Sequence, residues 1–88
     1  MNQHTFFTKL GDVTKYVRAT SMNEAARTIA YWYAELNYGK KAIIVDCNSL
    51  YVTNQYAEFE TTVGYLQHNK LIGHNWRFSV YKKNTEVH

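Results

Sequence analysis

The side chains that nucleophilic or acid–base catalysis needs are all present by type: Cys47, four histidines and seven acids. A cysteine nucleophile requires a depressed pKa and a positioned base, usually at a helix start or in a loop. Cys47 instead closes the most apolar run of the chain, Ala42 to Cys47 (Ala-Ile-Ile-Val-Asp-Cys). In that setting a free cysteine packs as a small hydrophobe, and Asp46 beside it reads as a turn residue and not as a base. No Gly-rich phosphate loop or nucleophile elbow is present. His68 and His74 are separated by Asn-Lys-Leu-Ile-Gly, which is neither a helical nor a zinc-knuckle spacing. They read as solvated loop residues, with His4 and His88 near the ends. We therefore expect no metal, no cofactor and no catalysis. A small hydrolase or nuclease built on a histidine–acid pair is the weakest of the functional readings.

A different chemistry is suggested where rings alternate with cations. Phe7 and Lys9 precede Tyr16 and Arg18, and Arg77, Tyr81 and Lys83 recur at every second or fourth position near the other end. On a pleated strand such residues share a face. Flat rings stack on bases at about 1–3 kcal/mol each while cations hold phosphate, which is what a platform for single-stranded nucleic acid requires. The plainer account is that aromatic and basic residues suit a half-solvated strand, where ring pairs stabilise the sheet by about 0.2–1 kcal/mol. A partner subunit or a second helix over the rings is a further account. No RNP or KH signature decides among them.

The elements that would position these residues are mostly legible. His4 to Leu10 and Val13 to Ala19 are strand-like runs joined by Gly11-Asp12, suited to a two-residue turn because glycine accepts positive φ. That turn sets Leu10 opposite Val13, Phe6 opposite Val17, Phe7 opposite Tyr16 and Thr5 opposite Arg18. Phe6, Leu10, Val13 and Val17 form the expected core side. Ser21-Met22-Asn23-Glu24 matches a capping box. From it, Met22, Ala25, Ala26, Ile29, Trp32, Tyr33 and Leu36 fall within about 120° of arc on a helix. Gly39 ends the helix, with Lys40 and Lys41 at its negative pole. Glu24, Arg27, Tyr31 and Glu35 lie on the outer face, where Arg27 and Tyr31 are candidates for contact with a protein partner.

Ala42 to Cys47 reads as a strand covered on both sides, with Asn48-Ser49 turning the chain into Leu50 to Asn54. Gln55 to Asn69 supports two readings. Tyr56, Phe59, Val63 and Leu66 recur at helical spacing, whereas Thr61-Thr62-Val63-Gly64 suits a strand; we read a short helix. Asn75 to Lys83 alternates, with Trp76, Phe78 and Val80 on one side and Arg77, Ser79, Tyr81 and Lys83 on the other. The result is an α+β fold, ββαββ(α)β: one domain over residues 1–88, an antiparallel sheet with its helix or helices on one face.

Composition bounds the partners. Eight tyrosines, four phenylalanines and two tryptophans in 88 residues fill a small core and leave rings for the surface. One cysteine permits no internal disulfide, which points to a reducing compartment. Neither a signal peptide nor a membrane span is visible, so a cytoplasmic address is expected. The net charge of +3 excludes an acidic DNA mimic and is mildly favourable to nucleic acid.

The stretch from Thr14 to Glu35, a strand ending in Ala19 that runs through Thr20-Ser21 into a Glu-Ala-rich helix, resembles small phage proteins. It is similar to the RNA polymerase inhibitor of T7-like phages and to some small anti-CRISPR proteins, over about a quarter of the chain. The resemblance implies a compact, non-enzymatic inhibitor that occupies a surface of a host or defence protein or nucleoprotein. It carries over no target-binding residue. The expected function is thus a phage-type inhibitor able to contact RNA or DNA itself, with a free-standing single-stranded nucleic-acid-binding module as the alternative.

Overall fold

The computed structural model describes residues 2–84. Gly11 takes φ +59° at the first turn, and β1 (His4–Leu10) and β2 (Val13–Ala19) pair in the expected register, Phe6 on Val17 and Phe7 on Tyr16. Phe6 and Val17 are buried, but Val13 is 53% exposed. The reason is that β2 is a sheet edge and Val13 sits at its turn end, beyond the reach of the helix. Thr8 takes a core place instead, fully buried, its hydroxyl donating to the Ser79 carbonyl at 2.6 Å.

The helix α1 (Met22–Tyr38) begins as its cap dictates. Ser21 Oγ accepts the Glu24 N–H at 3.1 Å. Glu24 reaches back to accept from the Thr20 N–H at 2.6 Å and the Thr20 hydroxyl at 3.0 Å. Those two donors hold the Glu24 carboxyl below its ordinary pKa. Gly39, at φ +70°, ends the helix by donating its N–H to the Glu35 carbonyl, and a single 3₁₀ turn over Gly39–Lys41 follows. The buried side is lined by Ala25, Ala26, Ile29, Ala30 and Ala34, small residues that let the helix lie close on the sheet. Its contact row climbs in steps of four through Ala26, Ala30 and Ala34 to Tyr38, so Leu36, expected in the core, is left 60% exposed.

Three strands follow: β3 (Ile43–Val52), β4 (Tyr56–Gln67) and β5 (Lys70–Lys82). All pairings are antiparallel, in the order β2-β1-β5-β4-β3. The α+β fold with its helix on one sheet face is as expected, with three corrections. Residues 55–69 carry no helix. Ala57, Phe59, Thr61 and Val63 are all buried, an alternation concealed by an alanine and a threonine among the core positions. Asn48-Ser49 is likewise no turn, because β3 runs through it with register shifts between Ile44 and Asp46 and between Ser49 and Tyr51. Because the helix lies on one face of the sheet, β3 is covered on one side alone, and Val45 is 53% exposed.

β4 and β5 form a long hairpin closed by His68-Asn69, both at positive φ (52° and 65°), the backbone of a type I′ turn. Gly64 lies opposite Gly73. A Cβ on Gly64 would stand 2.2 Å from the Ile72 carbonyl oxygen, and one on Gly73 2.1 Å from that of Val63. Only glycine permits so close an approach of two backbones.

Candidate nucleic-acid interface

The helix covers one face of the sheet and leaves the other open. Along the open face the pleat projects one ring from each strand. Tyr16 of β2 and Phe7 of β1 have centroids 5.5 Å apart. Phe7 stacks on Tyr81 of β5 at 5.1 Å with planes 19° apart. Tyr81 and Tyr56 of β4 are 5.2 Å apart, and Tyr56 and Tyr51 of β3 6.3 Å. The registers Phe7 on Tyr16, Phe7 on Tyr81 and Tyr56 on Tyr81 place four of these rings in one row across the strands. The row ends are the most open, Tyr16 at 54% and Tyr51 at 56% exposed.

Cations flank the row at its β2–β1 end. The Lys83 ammonium lies 5.5 Å from the centroid of Tyr16, and the Lys83 N–H donates to the Thr5 carbonyl at 2.8 Å, extending the β1–β5 seam. Arg18, opposite Thr5, stands on the same flank as Lys83, while Lys9 stands on the other, two residues from Phe7. The opposite end is acidic. Glu58 pairs with Ser79, and Glu60 with Arg77. Arg77 Nε is 3.8 Å from the Glu60 carboxylate, with the arginine side chain 74% exposed. Such an exposed pair contributes at most about 1 kcal/mol, so the guanidinium is easily diverted to another ligand. Tyr56 donates its hydroxyl to the Glu58 carboxylate, and its oxygen is 3.3 Å from Ser79 Oγ. The bond to Glu58 raises the Tyr56 pKa, because ionising the phenol would forfeit that donor.

The fold thus brings Phe7, Lys9, Tyr16, Arg18, Tyr81 and Lys83 onto one end of one face, with Arg77 further along it beside Glu60. Arg27 and Tyr31 are exposed on the outside of α1, on the far side of the sheet, and belong to a different surface. Sequence reasoning missed Tyr51, Tyr56, Glu58 and the acidic end. Reading residues 55–69 as helix concealed Tyr56, Glu58 and Glu60, although these alternate with Thr62 once the segment is a strand, and a turn at Asn48-Ser49 detached Tyr51 from the strand that carries it.

The covered face holds the remaining chemistry-bearing residues. His74 is not a loop residue. It lies half-buried in β5, with Nε2 2.6 Å from the Tyr33 hydroxyl and Nδ1 2.6 Å from the Tyr38 hydroxyl. Both ring nitrogens are occupied in a structural clamp between helix and sheet. Burial of the hydroxyl pushes the Tyr33 pKa up, and the neighbouring Tyr38 adds to the rise. His68 sits exposed in the β4–β5 turn, and His88 lies outside the described residues. Asp46 closes no turn; its carboxylate accepts the Thr62 N–H at 3.0 Å and its carbonyl the Thr61 hydroxyl at 2.6 Å, which ties down the first irregularity of β3. Cys47 is half-buried against the core, and that burial raises its pKa despite the opposing influence of Arg27. Among the described residues no three His, Cys, Asp or Glu side chains are grouped to hold a metal, and no helix is long and apolar enough to cross a membrane.

No protein-family model matches the chain, and no curated protein and no solved structure is significantly similar to it.

Proposed function

We propose that this is a non-enzymatic binding protein that takes single-stranded RNA or DNA across the open face of its sheet. The observation that carries the reading is the unbroken row of rings from Tyr16 through Phe7, Tyr81 and Tyr56 to Tyr51, uncovered by any element among the described residues. Cross-strand pairing stabilises the sheet by about 0.2–1 kcal/mol for each such contact. It does not call for a row across every strand with cations beside it. Bases stack on the rings, and Arg18, Lys83 and Lys9 hold phosphate. At about 1–3 kcal/mol per stacked base, three bases contribute about 3–9 kcal/mol, against which the cost of ordering the strand is set. The resemblance of Thr14 to Glu35 to phage inhibitors suggests a setting for such binding, with a host or defence nucleoprotein as the target in the cytoplasm. In that setting Arg27 and Tyr31 on the outer helix surface are the candidate protein contacts.

The test is a titration of a fluorescent ten-residue deoxythymidine strand and its uridine counterpart at low and moderate salt. Wild type is expected to bind with a log–log salt slope of about −2, for three phosphates neutralised on a single strand. Tyr16→Ala should weaken binding roughly 5- to 100-fold at both salts. Replacing Lys9, Arg18 and Lys83 together should flatten the slope. Absence of binding at low salt would sink the reading.

A further inference from the structure

Beside the ring row the open face carries a depression of about 200 Å³, lined by Leu50, Glu58, Phe59, Arg77, Phe78 and Ser79. Resting on the nucleic-acid reading of this face, we propose that the depression reads a guanine base on a single strand lying over the tyrosines. Three features support this assignment.

The first is position. Glu58 pairs with Ser79, two residues along each strand from the pair Tyr56 and Tyr81. A base leaving the stack at those rings therefore reaches the depression without the strand changing course. The second is shape. The register of β3 shifts between Ser49 and Tyr51, and Leu50, the residue within the shift, lines the depression. Bulges re-aim side chains in this way. Here the result is an apolar side wall on a face otherwise made of rings and polar groups. The volume is well below that of a drug-sized pocket and suits one base.

The third feature is hydrogen-bonding chemistry. An ionised carboxylate only accepts, through two oxygens with about four lone-pair sites. Tyr56 uses one site on Glu58, leaving the other oxygen and part of the first available. Of the four common bases only guanine offers two adjacent donors on its Watson–Crick edge, N1–H and the 2-amino group. Cytosine and adenine offer an amino group beside an acceptor, and uracil a single N–H between two carbonyls. An acceptor-only group facing that edge therefore favours guanine and leaves the other bases with an unmatched acceptor. Arg77, loosely held by Glu60, is free to donate to the guanine O6. The charge layout agrees. Glu58 and Glu60 repel phosphate, so where the strand crosses β4 and β5 it points its bases at them and its backbone at the flank of Arg18 and Lys83.

The experiment compares fluorescent ten-residue thymidine strands carrying one central guanine, hypoxanthine or adenine, titrated by anisotropy against the full chain. Guanine is expected to bind at least about tenfold more tightly than adenine, the lower range for a bidentate base contact. Hypoxanthine, which lacks the 2-amino group, should lose most of that advantage. In Glu58→Gln one acceptor becomes a donor, so the guanine-to-adenine ratio should fall towards one, with an unchanged thermal melt showing that the fold is intact. Equal binding of guanine and adenine by wild type overturns the guanine assignment and leaves the stacking platform standing. Equal binding of guanine and hypoxanthine overturns the two-donor contact at Glu58. Failure to bind any of the strands overturns the platform, and the guanine pocket with it.

Discussion

Each face of the sheet carries its own ladder of rings, and the two ladders differ in ways that follow from what covers them. Under the helix, Tyr33 stacks on Trp76 at 3.7 Å, Trp76 on Phe78 at 4.4 Å, and Phe78 lies 5.8 Å from Phe59. Its deepest members are phenylalanines, which have no polar atom to satisfy. The polar tip of Tyr33 is met by His74 at 2.6 Å. On the open face four of the five rings are tyrosines, with Phe7 between Tyr16 and Tyr81. A tyrosine keeps its hydroxyl in water while offering the ring to a ligand, and two χ angles leave little entropy to lose on binding. The covered ladder is built to exclude water and the open one to remain in it. Stability and binding are therefore expected to separate by face.

The largest expected effect tests that separation. Phe59, in β4, is 2% exposed and belongs to the core cluster under the helix. Phe59→Ala should destabilise the chain by about 3–5 kcal/mol through lost transfer energy plus a cavity, a large fraction of the stability of so small a domain. Tyr81→Ala on the opposite face removes a ring of similar size, yet only cross-strand contacts are lost, so about 1 kcal/mol is expected. Chemical denaturation of the two variants measures the contrast. Equal losses would mean that the open ladder is itself core, covered in solution by something the monomer does not contain.

The next effect concerns the lid over the inner ladder. Ser21→Ala removes the acceptor for the Glu24 N–H and should lower stability by about 0.5–2 kcal/mol. Because the cap lies far from the open rings, affinity for a thymidine strand should not change at a temperature where the variant is folded. A parallel loss of binding would show that the two faces are coupled and not independent.

How far each face could be read in advance depends on the range of the forces that build it. The β1–β2 register and the helix start are local, set by Gly11-Asp12 and Ser21-Glu24, and both were legible. So was the alternation of Arg77, Ser79 and Tyr81. β4 was not, because its buried row includes Ala57 and Thr61, which no hydrophobicity pattern marks, while Tyr56 and Leu66 point to the other side. The insertion of β5 between β1 and β4 was also hidden. It rests on the Phe6–Lys82 and Phe7–Tyr81 pairings and on Thr8 bonding the Ser79 carbonyl, contacts more than seventy residues apart in sequence. The cationic half of the candidate site was therefore visible from local alternation, whereas its acidic half required the tertiary fold.

The smallest effect is at Cys47, where the covered face meets solvent. The thiol packs against the core yet also lines a recess with Asn23, Arg27 and Ser49, so it reports how tightly the helix closes over β3. Burial disfavours the thiolate and outweighs the attraction of Arg27, raising the pKa above the ordinary value of 9.0. A raised folded-state pKa means that the native chain holds this proton more firmly than the unfolded chain does. The associated stabilisation is complete below pH 9.0 and is lost as pH rises through the folded value. Two outcomes follow. Labelling by a thiol reagent should be slow at pH 7 and faster in denaturant, because the thiolate is the attacking species. The native rate should also keep rising with pH beyond the point where a free cysteine levels off. Rapid labelling at pH 7 with an ordinary pH profile would mean that the helix stands open over β3, and the contrast between a sealed face and an exposed one would fail at its edge.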